Sequence, residues 1–221
     1  MKPKILLVNP PICDFAAYDF WLKPYGLLSV AGFLRGEADF RLFDYMDRLH
    51  PLSAEQTQLA ADRWGRGRFY CERIQSPPCL REIPRYFRRF GLPRRLFKDF
   101  LATEGPFDFV FVQTTMTYWY LGLKEVIEDV REAWPQAGIV MGGVYATLCR
   151  GHAQSLGADL VVSGVDLGPL WSYLAISPNL GQPALWQAYR RLKVGALKLS
   201  DGCPFSCTYC SVPKVYGKFK P

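Results

Sequence analysis

Phe107-Asp-Phe-Val-Phe-Val-Gln113, the loop Thr114-Thr-Met-Thr-Tyr118, and then Gly138-Ile-Val-Met-Gly-Gly143 decide the fold of this chain. The first and last are short apolar runs of strand length. Between them Leu123, Val126, Ile127, Val130 and Trp134 recur at the i, i+3, i+4, i+7 spacing of one buried helix face. Strand, helix and strand in that order place two parallel strands side by side with the helix crossing over them.

Working outward, the same rhythm continues on both sides. Lys4-Ile-Leu-Leu-Val8 is a buried-strand run that Asn9-Pro10-Pro11 terminates, because proline cannot donate to a ladder. Pro24 to Arg35 begins with a proline suited to a first helical turn and continues as an apolar helix. Phe40 to Tyr45 is a second strand, a helix falls near Leu148 to Leu156, and Ala158 to Gly164 is a fifth strand. The expectation is an α/β domain over residues 1–175: a doubly wound, five-stranded parallel sheet, with ligands in the crevice outside the carboxyl ends of the strands.

Residues from about 46 to 105 break the rhythm with arginines, prolines and aromatics, and read as an insertion with short helical stretches such as Ser53 to Trp64. The formal charge of +7 is concentrated there: Arg63 to Lys98 holds ten arginines and one lysine against Glu72 and Glu82. A solvated face is the ordinary reading, because the prolines prevent one long basic helix; RNA, a phosphorylated substrate or an acidic membrane surface are the alternatives. Residues 176–193, with Pro178, Gly181 and Pro183, look like an interdomain linker.

The 221 residues, 49% of them apolar, suffice for one such domain and a further fragment. No apolar run approaches the roughly 18 residues of a spanning helix, and the amino-terminal apolar run is too short for a signal peptide. A soluble, cytoplasmic protein is expected. An odd count of seven cysteines also argues against a disulfide framework.

Cys203, Cys207 and Cys210 form a CxxxCxxC triad in the run Leu199 to Pro213. Three thiolates at this spacing can hold three irons of a four-iron four-sulfur cluster from one loop and leave the fourth iron open. A structural zinc site closes with four ligands, and the two histidines, His50 and His152, lie far upstream without ligand spacing. Inert thiols are the other competing reading. Gly195-Ala-Leu-Lys-Leu-Ser200 reads as a strand, with Asp201-Gly202 turning into the cysteine loop.

The triad, with the aromatic Tyr209 just before its third cysteine, resembles the radical S-adenosylmethionine superfamily. With Asn9-Pro10-Pro11, the Pro24-Tyr-Gly-Leu helix start, the Met116-Thr-Tyr loop and Gly142-Gly-Val-Tyr-Ala-Thr147, most of the chain resembles the cobalamin-binding class of that superfamily. The resemblance implies a flavodoxin-like or Rossmann-like cobalamin domain followed, over residues 194–221, by the start of a partial barrel with its cluster loop. It implies a four-iron four-sulfur cluster on Cys203, Cys207 and Cys210, S-adenosylmethionine on the open iron near Tyr209, and radical methyl transfer to an unreactive carbon. Cobalamin would lie against Asn9, Pro10, Thr114, Thr115, Met116, Thr117, Gly142, Gly143, Val144, Tyr145, Ser163 and Gly164.

Two departures shape the expectation. No Asp-x-His-x-x-Gly motif is present, so cobalamin would lack a lower histidine ligand. Ser163-Gly-Val-Asp-Leu-Gly168 stands where the class commonly has Gly-Glu-x-Glu. Cys13 invites comparison with radical methylthiotransferases, which modify RNA, but Cys71, Cys79 and Cys149 are not placed as partners, and that remains a lesser reading. A partial barrel takes on the order of 200 residues, so the chain alone is expected to be catalytically incomplete. No residue is assigned as catalytic and no substrate, whether small molecule or peptide, can be read. A stand-alone module carrying cobalamin, or flavin, is the alternative from another class.

Overall fold

A computed structural model describes residues 2–50, 61–205 and 207–220. In chain order its elements are β1 (Lys4–Asn9), β2 (Ile12–Asp14), β3 (Tyr18–Asp19), α1 (Tyr25–Phe33), β4 (Asp39–Asp44), β5 (Gly67–Arg68), β6 (Cys71–Arg73), β7 (Arg88–Phe90) and α2 (Arg94–Glu104). There follow β8 (Phe109–Thr114), α3 (Tyr120–Ala133), β9 (Gly138–Gly143), α4 (Val144–Leu148), α5 (Arg150–Gln154), β10 (Leu160–Val162), α6 (Gly168–Leu174) and α7 (Val212–Tyr216).

β1 is apolar from Ile5 to Val8 because both its faces are covered there. Leu6 and Val8 enter one core with Val110 and Val112 of β8 and Ile139 and Met141 of β9. Ile5 and Leu7 enter the other, with Phe111 and Val140. The helices divide accordingly: α2 and α3 supply Leu96, Phe97, Leu123, Val126 and Val130 to the first core, and α1 and α6 supply Leu28, Ala31, Leu170 and Leu174 to the second. Apolar central strands with helices on both sides make a parallel sheet buried on both faces at its centre, while the first half of the edge strand β4 stays partly exposed.

The sheet runs β4-β1-β8-β9-β10, all parallel. Numbered within the sheet, that is strand order 2-1-3-4-5, one of the two common doubly wound orders. The order reverses between β1 and β8, whose register sets Ile5 beside Phe109 and Val8 beside Val112.

The insertion is smaller than its composition suggests. Arg94–Glu104 is an eleven-residue helix, not a short helical stretch, and it is the crossover into β8, burying Leu96, Phe97 and Leu101. Its arginines lie on the outer side of an amphipathic helix, which disguises it in a basic stretch. The rest forms an arm that pairs with the loop after β1: β2-β7-β6 make one antiparallel sheet and β3-β5 another. The helical expectation over Ser53 to Trp64 lies mostly outside the described residues; Ala61 to Trp64 contain no helix, and Ala61 bridges to Gly67.

The stretch 176–193 is laid along α1 as a strap. Asn179 and Leu185 donate backbone N–H bonds to the carbonyls of Phe33 and Leu28, both at 2.8 Å. Gly32 makes this possible, since a Cβ there would collide with the Pro183 carbonyl. Beyond it Gly195–Ser200 forms no strand, and Leu197 and Leu199 are exposed. The apolar alternation that suggested a strand has no neighbouring strand to pair with among the described residues. Asp201 and Lys220 close the cysteine segment with an antiparallel bridge.

Candidate functional site at the carboxyl edge of the sheet

Five strands end together, and the loops that leave them form one rim. Between β1 and β8 the rim opens into a small cleft lined by Asn9, Pro10 and Pro11 on one strand's exit and by Thr115, Met116 and Trp119 on the other's. This is the point of strand-order reversal, where the two flanking crossovers depart in opposite directions and leave a gap. Gly122 lets α3 close on the Pro11 carbonyl, which a Cβ would strike.

The residues expected to face a ligand divide into two groups. Several are committed to the scaffold. Thr114 is buried and its Oγ1 accepts the Ala146 N–H at 3.1 Å, capping α4. Gly143 has φ +121, and its missing Cβ admits the Thr114 carbonyl, while its other side stays exposed on the rim. Thr147 joins β9 to β10: its hydroxyl donates to the Gly143 carbonyl at 2.8 Å and accepts the Gly164 N–H at 2.9 Å. Tyr145 is buried, with its hydroxyl 2.6 Å from His152 Nδ1, and burial pushes its pKa up to about 12. His152 is thereby engaged within the domain.

The others line the rim with accessible surface. Pro10, Thr115, Thr117, Gly142, Val144, Ser163 and Gly164 are partly exposed, and Met116 and Gly143 are exposed. These can meet a ligand laid across the strand ends, since the narrow cleft itself encloses little.

A buried polar cluster at the outer end of the rim was not anticipated. Asp44, at the end of β4, is 2% exposed, and its Oδ1 accepts from Asn9 Nδ2 at 2.7 Å and from the Met46 N–H at 2.8 Å. Its Oδ2 accepts from the Tyr189 hydroxyl, carried in by the strap. Lys23 stands over the Tyr189 ring at 4.8 Å and 3.7 Å from Asp47. Burial raises the Asp44 pKa from 3.8 despite Lys23 and these donors. Asn9 therefore acts as a strand-to-strand tie. The sequence signal was Leu42-Phe-Asp-Tyr45: a carboxylate closing an apolar strand must find donors.

The cysteine segment reaches the opposite end of the rim. α7 begins two residues after Cys210 and packs on α4, burying Val215, while Gly217 lies beside Val165. Cys203 is half-buried, Cys207 and Cys210 are exposed, and the Cys210 N–H donates to the Cys207 carbonyl at 3.1 Å. Tyr209 is 90% exposed. Among the described residues the three thiols are not gathered into a metal-binding group. As a donor set they nevertheless suit an iron-sulfur cluster: three soft ligands on one accessible loop held at both ends.

Cys13 differs from them in kind. Burial, and then the charge of Glu125, push its pKa up to about 12, so it is a neutral packing thiol. No helix among the described residues is long and apolar enough to cross a membrane. No known protein-family model matches the chain, and no curated protein is similar to it at a significant level.

Proposed function

We propose that this chain is the cofactor-binding part of a cobalamin-dependent radical S-adenosylmethionine enzyme. The observation that carries the reading is the CxxxCxxC loop tethered through α7 to α4, on the same rim as Gly142–Gly143 and Ser163–Gly164. Strand order 2-1-3-4-5 supports it by opening a ligand crevice on that edge.

On this reading Cys203, Cys207 and Cys210 hold the cluster, whose chemistry when bound is one-electron cleavage of S-adenosylmethionine. Pro10, Thr115, Met116, Gly143, Ser163 and Gly164 offer cobalamin an accessible rim that mixes glycine backbone, hydroxyl groups and the apolar Pro10 and Met116. Neither histidine supplies a lower ligand: His152 is bonded to Tyr145, and His50 is partly buried beside Phe43, with its pKa lowered chiefly by that burial. Exposed Tyr209 and Phe205 leave one side of the loop uncovered. On this reading turnover needs protein cover on that side of the loop, and the described residues offer cofactor-binding surface there.

Anaerobic reconstitution tests this. The expected outcome is about four irons per chain, a spectrum that shifts on adding S-adenosylmethionine, and loss of iron on replacing Cys203, Cys207 and Cys210 together by alanine. Retention of cobalamin without iron would favour the stand-alone module. Failure to bind either group would overturn both.

A further inference from the structure

The loop after β1 and the arm bring together four aromatic rings that the core does not take. Tyr18, Phe20 and Trp21 come from the loop and Trp64 from the arm, and all four are exposed, Phe20 and Trp64 by more than half (63% and 56%). The β3–β5 pairing fixes the juxtaposition, setting Tyr18 opposite Arg68. Trp21 Nε1 donates to the Trp64 carbonyl at 2.9 Å, and the Tyr18 and Phe20 ring centroids are 4.8 Å apart. Arg48, half-buried, fastens the base by donating to the Gly65 carbonyl at 2.8 Å and pairing with Asp19 at 3.4 Å.

Guanidinium groups are interleaved with these rings. Arg66 lies 6.0 Å from the Phe20 centroid and 5.6 Å from that of Trp21, and Arg63 lies 4.8 Å from Trp64. Asp62 takes up much of the Arg66 charge through a 2.7 Å bond, so the free positive charge of the patch comes from exposed Arg63 and Arg68, which make no ion pair among the described residues. Trp21 has φ +65, a conformation costly for a bulky residue that persists only where the surroundings hold it. A positive φ thus holds the Trp21 ring at the surface beside Trp64 and Arg66, next to the β3–β5 pairing, and not in the core.

We infer that this patch binds single-stranded nucleic acid, with bases stacking on the aromatic rings and phosphates meeting Arg63 and Arg68. Each part has a use in that role: π-faces accept any base, and guanidinium groups both stack and neutralise phosphate. The excess of arginine over acid along the arm supplies the charge complementarity. This inference is independent of the cysteine loop, on which it places no demand.

The full chain would be titrated against a fluorescein-labelled, mixed-sequence RNA of about 12 nucleotides, a length within the site sizes of single-strand binders, using fluorescence anisotropy. Expected is saturable binding that is tighter for the single strand than for its duplex and weakens with added potassium chloride. Trp64→Ala and Phe20→Ala should each weaken binding by roughly fivefold to a hundredfold, with Trp64→Phe recovering part of the loss. Replacing Arg63 and Arg68 by glutamine should reduce the slope of log affinity against log salt by about 1.4. The fold of each variant is checked by circular dichroism, and the cysteine-to-alanine variant should bind RNA unchanged. Undetectable binding at low salt would overturn the inference, as would equal binding of duplex with no effect of the aromatic variants. Trp64-dependent binding to vesicles of equal phosphatidylglycerol and phosphatidylcholine, without binding to RNA, would show instead that the patch is a membrane contact.

Discussion

Asp44 illustrates how one carboxyl group can organise a strand edge and titrate against the fold. Its oxygens accept from Asn9, Met46 and Tyr189, linking β1, β4 and the strap. Burial outweighs these donors and Lys23, so its pKa is raised in the folded protein. The folded state then holds the proton more tightly than the unfolded one. The stability this gives is fully present below the ordinary value of 3.8 and is lost as pH rises through the higher folded value. Asp44→Asn keeps the shape and one acceptor oxygen, and the Tyr189 hydroxyl can turn to accept from the new amide. Urea denaturation should therefore show the variant gaining on the wild type between pH 4 and pH 8. Asp44→Ala leaves three buried donors without an acceptor and should cost about 3 kcal/mol or more throughout, at about 1–3 kcal/mol for each stranded group. A variant difference that does not change with pH would mean Asp44 is not the titrating group.

The arm and α2 are joined to α3 by a shared apolar core, which takes in Phe69, Phe90 and Leu92, and by two ion pairs, each with a buried partner. Arg89 of β7 is buried and makes a bidentate pair with Glu125, at 2.6 Å from Nη2 and 2.9 Å from Nε, while its Nη1 donates to the Leu92 carbonyl. One turn on, Arg94 of α2 pairs with buried Asp129 at 2.7 Å. Glu125→Ala would leave the Arg89 charge in the interior and should lower stability by about 3–5 kcal/mol, the ordinary result of removing half a buried pair. Glu125→Ala with Arg89→Met should recover much of that loss in thermal melts. These pairs also explain what the sequence concealed. Arginines at 89 and 94 read as local surface charge because their acids lie 36 and 35 residues away on α3. The five parallel strands were legible because four are short apolar runs and β4 places Phe40, Leu42 and Phe43 within one strand length, each bounded by turn residues, a local property. The arm's strands were not, because two- and three-residue ladders carry no periodicity and depend wholly on long-range pairing. At the rim the same contrast holds. The loops were located from strand ends, but that Thr114 and Gly143 serve each other, and that Asn9 serves Asp44, depended on neighbours that sequence order does not reveal.

At the scale of the whole molecule, the strap and the cysteine segment are attached in different ways, and their removal should have different consequences. Residues 176–193 complete the second core: Ala184 and Tyr189 are buried there, the backbone bonds α1, and Tyr189 satisfies Asp44. The described residues of 194–220 contribute one buried apolar side chain, Val215, and leave Leu197, Leu199, Phe205 and Tyr209 exposed. A chain ending at residue 193 should therefore keep the sheet domain intact. Losing the burial of one valine costs about 1.5–3 kcal/mol by transfer, or no more than roughly 12 °C of melting temperature at this size, and re-exposure of the α4 surface sets the upper end. A chain ending at residue 175 loses the apolar cover of α1, strands the Asp44 acceptor and exposes Leu28 and Ala31, so it should melt far lower or fail to fold. Differential scanning fluorimetry on the two truncations reads the difference directly. If both melted alike, the strap would be as dispensable as the cysteine segment. If the shorter cut at 193 unfolded the domain, the α7–α4 contact would have to be a structural part of the sheet domain rather than only an anchor for the cysteine loop.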